Sequence, residues 1–169
     1  LSNGEREAIA EELRQQVLQC RRHGLALTHA DSHEHIHEEW AAASVIIRVC
    51  RDESIPYLRI ARNCGRRPNV AKRVYRYLLN LRIKRAGLAR TAYFGSVQDI
   101  TFLLERDLAP RLNHMELMIH PTYDARGVLV DRLSGQPLEE IRRLWQGACS
   151  IVSFAGKRDD TDTRRAATE

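Results

Sequence analysis

Short apolar runs of strand type alternate with segments of helical periodicity along nearly the whole chain, and this alternation constrains the fold more than any other feature. Ser2 or Asn3 caps a predicted helix that runs to about Arg22, with Ile9, Leu13 and Val17 on one face and His23-Gly24 as a stop. Residues Leu25 to His37 alternate as a strand does, and Glu38 to about Arg51 returns to a helix through Trp40, Ala41, Val45, Ile46 and Val49. A strand is expected at Ile55 to Ile60. Pro68 then suits the first turn of a helix that reaches Arg85 and closes at Gly87, with Val70, Val74, Tyr77 and Leu81 as its buried stripe. An extended piece at Thr91 to Phe94, a helix from Gln98 to Asp107, a strand from Met115 to His120, a helix from Pro137 to Gly147 and a last strand from Cys149 to Phe154 continue the pattern. Such alternation predicts an α/β fold with parallel strands, whose reactive groups sit where strands end and loops begin.

The 169 residues, 43% hydrophobic and 29% charged, are enough for one ordinary globular domain, expected over residues 1–155. The tail from Gly156 to Glu169 has no apolar periodicity and is expected to be disordered. No apolar run approaches the roughly 20 residues that a membrane-crossing helix needs, so no membrane partner is expected. Residue 1 is Leu and the first segment is charged, so no signal peptide is visible and a cytoplasmic location is expected. Cys20, Cys50, Cys64 and Cys149 lie far apart without a C-x-x-C pair, which argues for reduced thiols rather than a thiolate zinc site. The net charge is +5, yet 11 basic residues and no acidic one fall between Ser54 and Gln98. That block reads first as a solvated helix face and second as a surface for an anionic partner.

Four of the seven histidines lie within nine residues, in Thr28-His29-Ala30-Asp31-Ser32-His33-Glu34-His35-Ile36-His37. If this piece is extended, His29, Asp31, His33, His35 and His37 project to one side, because side chains alternate with period two. Imidazoles on one face suit a divalent metal, with Asp31 as a ligand or as the acceptor that orients a ring. The plainer reading is a polar strand end whose histidines face water. Two further strand exits carry candidates: Arg59 in Ile55-Pro56-Tyr57-Leu58-Arg59, and His120 in Leu117-Met118-Ile119-His120-Pro121. Arg59 keeps its proton, so it would orient a carboxylate or bind an anion, if it is more than a surface ion pair.

In order and spacing, these three segments resemble the YdjC-like family of chitooligosaccharide and hopanoid-associated carbohydrate deacetylases. The likeness spans about Glu5 to Phe154, and D-S-H-x-H-x-H is its most specific part. It implies a (β/α) barrel of the polysaccharide-deacetylase-like type, here a partial one, which holds one divalent metal, Mg²⁺ or Zn²⁺, and removes N-acetyl groups from sugars. By resemblance His33 is a metal ligand and His35 the next candidate, while His37 lines the cleft. His120 matches a histidine near the reaction centre, and Arg59 a strand-end arginine that braces it. The family also begins with an A-D-D-F-G type strand and carries a further metal-binding His before this region. Residues 1–28 contain neither, so the chain is expected to lack the family's N-terminal part, with its base and two metal ligands.

The expected chemistry is metal-assisted amide hydrolysis in which His120 protonates the leaving amine, Asp31 fixes a neighbouring imidazole and Arg59 holds a carboxylate. The expected partners are an acetylated sugar or oligosaccharide and, as an allowed assembly, a second copy of the chain. Three competing readings remain. A phosphoesterase or amidohydrolase barrel also uses D-x-H-x-H but needs more downstream ligands than His114 and His120 supply. A basic nucleic-acid-binding module would use the arginines between residues 59 and 90, without a recognised motif. A catalytically inactive scaffold would keep the fold alone.

Overall fold

The structure, a computed structural model, describes residues 1–64, 69–104, 114–146 and 152–154. Helix α1 spans Asn3–Arg22 and starts in a capping box: the Ser2 hydroxyl accepts from the Glu5 N–H, and the Glu5 carboxylate accepts from the Ser2 N–H at 2.7 Å. Ala10 and Val17 are its buried residues, and Leu13 packs beside them.

Four parallel strands follow, β1 (His29–Ala30), β2 (Tyr57–Leu58), β3 (Tyr93–Ser96) and β4 (Met115–Met118), separated by α2 (Trp40–Asp52), α3 (Val70–Arg85) and α4 (Val97–Leu104). β1 pairs with β2, setting His29 opposite Tyr57, and β3 pairs with β4, setting Tyr93 opposite Met115. A single parallel bridge from Tyr57 to Ala89 links the two pairs. Strands that run parallel need a crossover, and each helix supplies one, so the expected α/β character is present. No closed barrel is seen among the described residues.

The core lies between the strands and α1 and α2. Val17, Ile46, Ile47, Cys50, Leu58, Ile60, Ile83 and Phe94 form one buried cluster, within which Phe94 is completely covered. Close packing continues at the end of β3, where a Cβ on Gly95 would sit 2.8 Å from that of Cys64, so only glycine fits. Burial pushes the Cys50 and Cys64 thiols up to about 11. Both are free, as is Cys20, whereas Cys149 lies outside the described residues.

The structure departs from the sequence expectations at several places. The strand expected over Leu25 to His37 contracts to His29–Ala30, because residues His33–Glu38 coil into a 3-10 helix. The stripe Val70, Val74, Tyr77 and Leu81 does not enter the core of α3. Leu79 and Ile83 do, and Asn80 docks the helix by bonding both the N–H and the carbonyl of Ala61. The expected stripe instead lines an open groove of about 720 Å³, together with Arg73, Lys84 and Arg90, and Tyr77 stays 65% exposed. β4 ends at Met118, before His120, and an unforeseen antiparallel hairpin, β5 (Pro121–Tyr123) with β6 (Leu129–Asp131), precedes α5 (Leu138–Gln146).

Pro68, the end of the helix expected to reach Asp107, most of the strand expected over Cys149 to Phe154 and the tail over 156–169 fall outside the described residues. Within that last strand Val152 to Phe154 are not extended into a ladder, and the Phe154 ring stacks on His29 at 4.3 Å. Among the described residues no helix is long and apolar enough to cross a membrane.

Candidate functional site

The ends of the parallel strands point their following residues to one side of the array, and Arg59, one residue past β2, ties three of the strands together. Its guanidinium lies 2.5 Å from Asp31, just beyond β1, and its Nε donates to Glu116 of β4 at 2.5 Å. The same guanidinium sits 4.8 Å from the centre of the Phe94 ring on β3. Asp31 is therefore taken by an arginine rather than by a histidine ring. Glu116 is largely buried, and its charge there requires such a partner.

The histidine run does not project to one side. Glu34 and His35 both adopt left-handed backbone, with φ of 53° and 57°, and two adjacent non-glycine residues in that region store strain. The consequence is a sorting of the histidines. His33 is turned out, 93% exposed, with the Glu34 carboxylate 3.8 Å from its ring. His35 and His37 turn in, with ring centres 5.9 Å apart, and His35 meets the Phe94 ring at 5.8 Å. His37 is 2% exposed.

Ser32 holds His37 in two ways. Its hydroxyl accepts from the His37 backbone N–H at 2.9 Å and lies 2.6 Å from the ring Nδ1. In the tautomer with the proton on Nδ1, both lone pairs of that hydroxyl are used and Nε2 is left as an acceptor. Burial pushes the pKa of His37 down, against an opposing pull from Glu38 and the Ile60 backbone. Its Nε2 and the Nδ1 of His35 are buried without a hydrogen bond. Ligand atoms of His35, His37 and Glu38 all lie within 4.8 Å of one another. Glu38 is fixed from behind by the Arg62 N–H at 3.0 Å and faces the Arg76 guanidinium at 3.4 Å. Two imidazoles and one carboxylate form a donor set that fits a first-row divalent ion.

His120 follows β4 and is held by the hairpin. Its N–H donates to the Asp131 Oδ1 at 2.7 Å, its carbonyl accepts from the Arg132 N–H at 2.8 Å, and its ring Nδ1 lies 3.8 Å from the same Asp131 oxygen. Burial pushes the Asp131 carboxyl up. The His120 N–H, the Ser134 hydroxyl and N–H and the nearby imidazole outweigh it and hold the group below the ordinary carboxylate range. Among the described residues no hydrogen bond, ion pair or ring contact joins His120 to Arg59, to Asp31 or to the His35–His37 pair.

The structure thus brings Asp31 to Arg59 and His35 to His37, leaves His33 apart from both groups, and gives His120 its own partner. Glu38, Glu116 and Asp131 were missed in the sequence. Each left a signal: Glu38 directly follows the histidine run, and Glu116 and Asp131 are lone carboxylates in the apolar strands Met-Glu-Leu-Met and Leu-Val-Asp. A family model described as YdjC-like protein matches residues 1–149. No curated protein and no solved structure matches the chain.

Proposed function

The chain belongs to the YdjC-like family, which is related to carbohydrate deacetylases, and from that membership we propose that it is a metal-dependent hydrolase that removes the N-acetyl group of a sugar. Its scaffold in this reading is a polysaccharide-deacetylase-like (β/α) barrel, whose strand exits carry the chemistry. The observation that carries the proposal is the pair of buried, unbonded imidazole nitrogens, His35 Nδ1 and His37 Nε2, beside the Glu38 carboxylate. Leaving two such nitrogens dry is costly without a cation between them. A nitrogen-rich set also favours a zinc-like ion over Mg²⁺, which prefers oxygen. His35, His37 and Glu38 are then the ligands, and His33 is left to solvent.

A divalent ion held there would supply Lewis acidity toward the acetamide carbonyl and would acidify a bound water. The protein's own groups do the rest. Ser32 fixes the His37 tautomer, and the low basicity of that buried ring keeps its nitrogen free for a cation. Arg59 pairs with both Asp31 and Glu116 and so lowers the repulsion between the two carboxylates. His120 donates a proton to the departing sugar amine, which would otherwise leave as a strongly basic anion.

The test is a calorimetric titration of Zn²⁺ into the metal-stripped chain and into the His35→Ala/His37→Ala double variant, beside acetate release from N-acetylglucosamine oligomers. Stoichiometric binding that weakens at least about 100-fold in the double variant is expected. Equal binding by both proteins would remove the metal from this site and the proposal with it.

A further inference from the structure

We propose that the groove beside α3 is a docking surface for an acidic amphipathic helix of a partner protein, which lays its apolar stripe on Val74 and Tyr77 and its carboxylates against Arg73, Lys84 and Arg90. The proposal is independent of the chemistry at the strand exits.

One wall of the groove is a single face of α3, on which Val70, Arg73, Val74, Tyr77, Leu81 and Lys84 recur at helical spacing. From Val70 to Lys84 that face runs for about 21 Å, the length of about four turns of a second helix. The opposite wall is formed by Ile60 and Asn63 after β2 and by Arg90 and Ala92 before β3. Both walls are fixed. The Asn63 amide donates to the Ala92 carbonyl at 2.9 Å and accepts the Phe94 N–H at 2.9 Å, while Asn80 holds α3 to Ala61. A groove of about 720 Å³ between such walls is preformed, so little ordering opposes binding.

The groove is apolar along its length and cationic throughout. Val70 is 70% exposed, Val74 51% and Tyr77 65%, a run of large apolar side chains that a surface helix normally turns to its core. Five cations line the same groove, and no carboxylate does among the described residues. Arg62 is engaged by Asp99 and Arg76 by Glu38, whereas Arg73, Lys84 and Arg90 have no ion pair among the described residues. A helix with an apolar stripe flanked by Asp and Glu is complementary to this surface in both respects.

Other occupants fit less well. A nucleic acid would bring phosphates to the cations but would set them against aliphatic Val70, Val74 and Leu81, and Tyr77 is the only ring among the described lining residues on which a base could stack. A second copy docked by two-fold symmetry would face Arg73, Lys84 and Arg90 with the same three cations.

The experiment is fluorescence anisotropy of the full chain with a labelled peptide of about 18 residues built from Leu, Ala and Glu, with Leu on one helical face and Glu on both flanks. The controls are a scrambled peptide of the same composition, a peptide with Lys for every Glu, and single-stranded oligothymidylate. The acidic amphipathic peptide is expected to bind at least about tenfold more tightly than every control, and to weaken by at least about tenfold in Arg73→Glu/Lys84→Glu, whose side chains are exposed. In the wild-type chain, which needs no variant to fold, the methyl NMR signals of Val70, Val74 and Leu81 should shift as the peptide is added. Equal binding of the scrambled peptide, unchanged affinity in the double variant, or shifts that spare those three residues would overturn the proposal. Tighter binding of the oligonucleotide would assign the groove to nucleic acid, and a sedimenting dimer that Tyr77→Glu separates would assign it to a second copy. Either result also overturns it.

Discussion

The exits of β1 and β4 both carry histidines, and they are built in opposite ways. At the β1 exit a strained turn brings two imidazoles inward, each with one buried nitrogen that makes no hydrogen bond, and burial pushes the pKa of His37 down. At the β4 exit a regular hairpin sets the buried Asp131 carboxylate 3.8 Å from one half-buried imidazole and bonds the backbone N–H of the same residue. In the proposed function the same residue type serves as a ligand in one place and as an acid in the other. What differs between the two exits is the second partner, Ser32 for His37 and Asp131 for His120, rather than the histidine itself.

Substitutions that treat the two exits alike should therefore give unequal results. The largest contrast is expected in Zn²⁺ affinity, which should fall at least about 100-fold in His37→Ala and stay within about twofold in His120→Ala. Equal losses would merge the exits into one centre. Ser32→Ala keeps every ligand and removes the group that fixes the His37 tautomer, so calorimetry should read a smaller loss, about tenfold.

The acid response sharpens the β4 side. Because the folded protein holds Asp131 below its ordinary pKa, the stability from this group is complete above about pH 4 and is lost as pH falls through the native pKa. Urea midpoints measured between pH 5 and pH 2 should drop less steeply in Asp131→Asn than in the parent. A parallel fall in the two proteins would show that the carboxylate gains nothing from its three hydrogen-bond donors. The smallest effect is expected at the strained turn, where Glu34→Gly relieves a left-handed residue and should stabilise the fold by about 1 kcal/mol in equilibrium denaturation. A destabilised variant would mean that the Glu34 side chain, not the turn, holds His35 inward.

Much of the scaffold could be read from residue order. The capping pair Ser2 and Glu5, the apolar spacing of α1 and α2 and the Gly87 stop after α3 are local features, and local hydrogen bonds realise them. The His-rich run was legible as a site by its density, yet its geometry was not. Alternation of polar residues fits an extended strand and a tight coil equally well until the backbone angles of Glu34 and His35 are known. Periodicity likewise identified an apolar face on α3 without saying which face would be covered. Asn80 bonding to Ala61 turns the helix so that Leu79 and Ile83 go inward and Val70, Val74 and Tyr77 line the groove.

By itself, then, the sequence determined the α/β alternation, the caps, the family and the three segments that carry the family resemblance, because each depends on neighbours within a few positions along the chain. Tertiary structure alone decided that Arg59 joins Asp31 to Glu116, that His35 and His37 rather than His33 face Glu38, and that Asp131 stands behind His120. Those are pairings of charge and hydrogen bond between strand exits or across a turn. Their energy depends on distance and burial, which residue order leaves open until the strands are side by side.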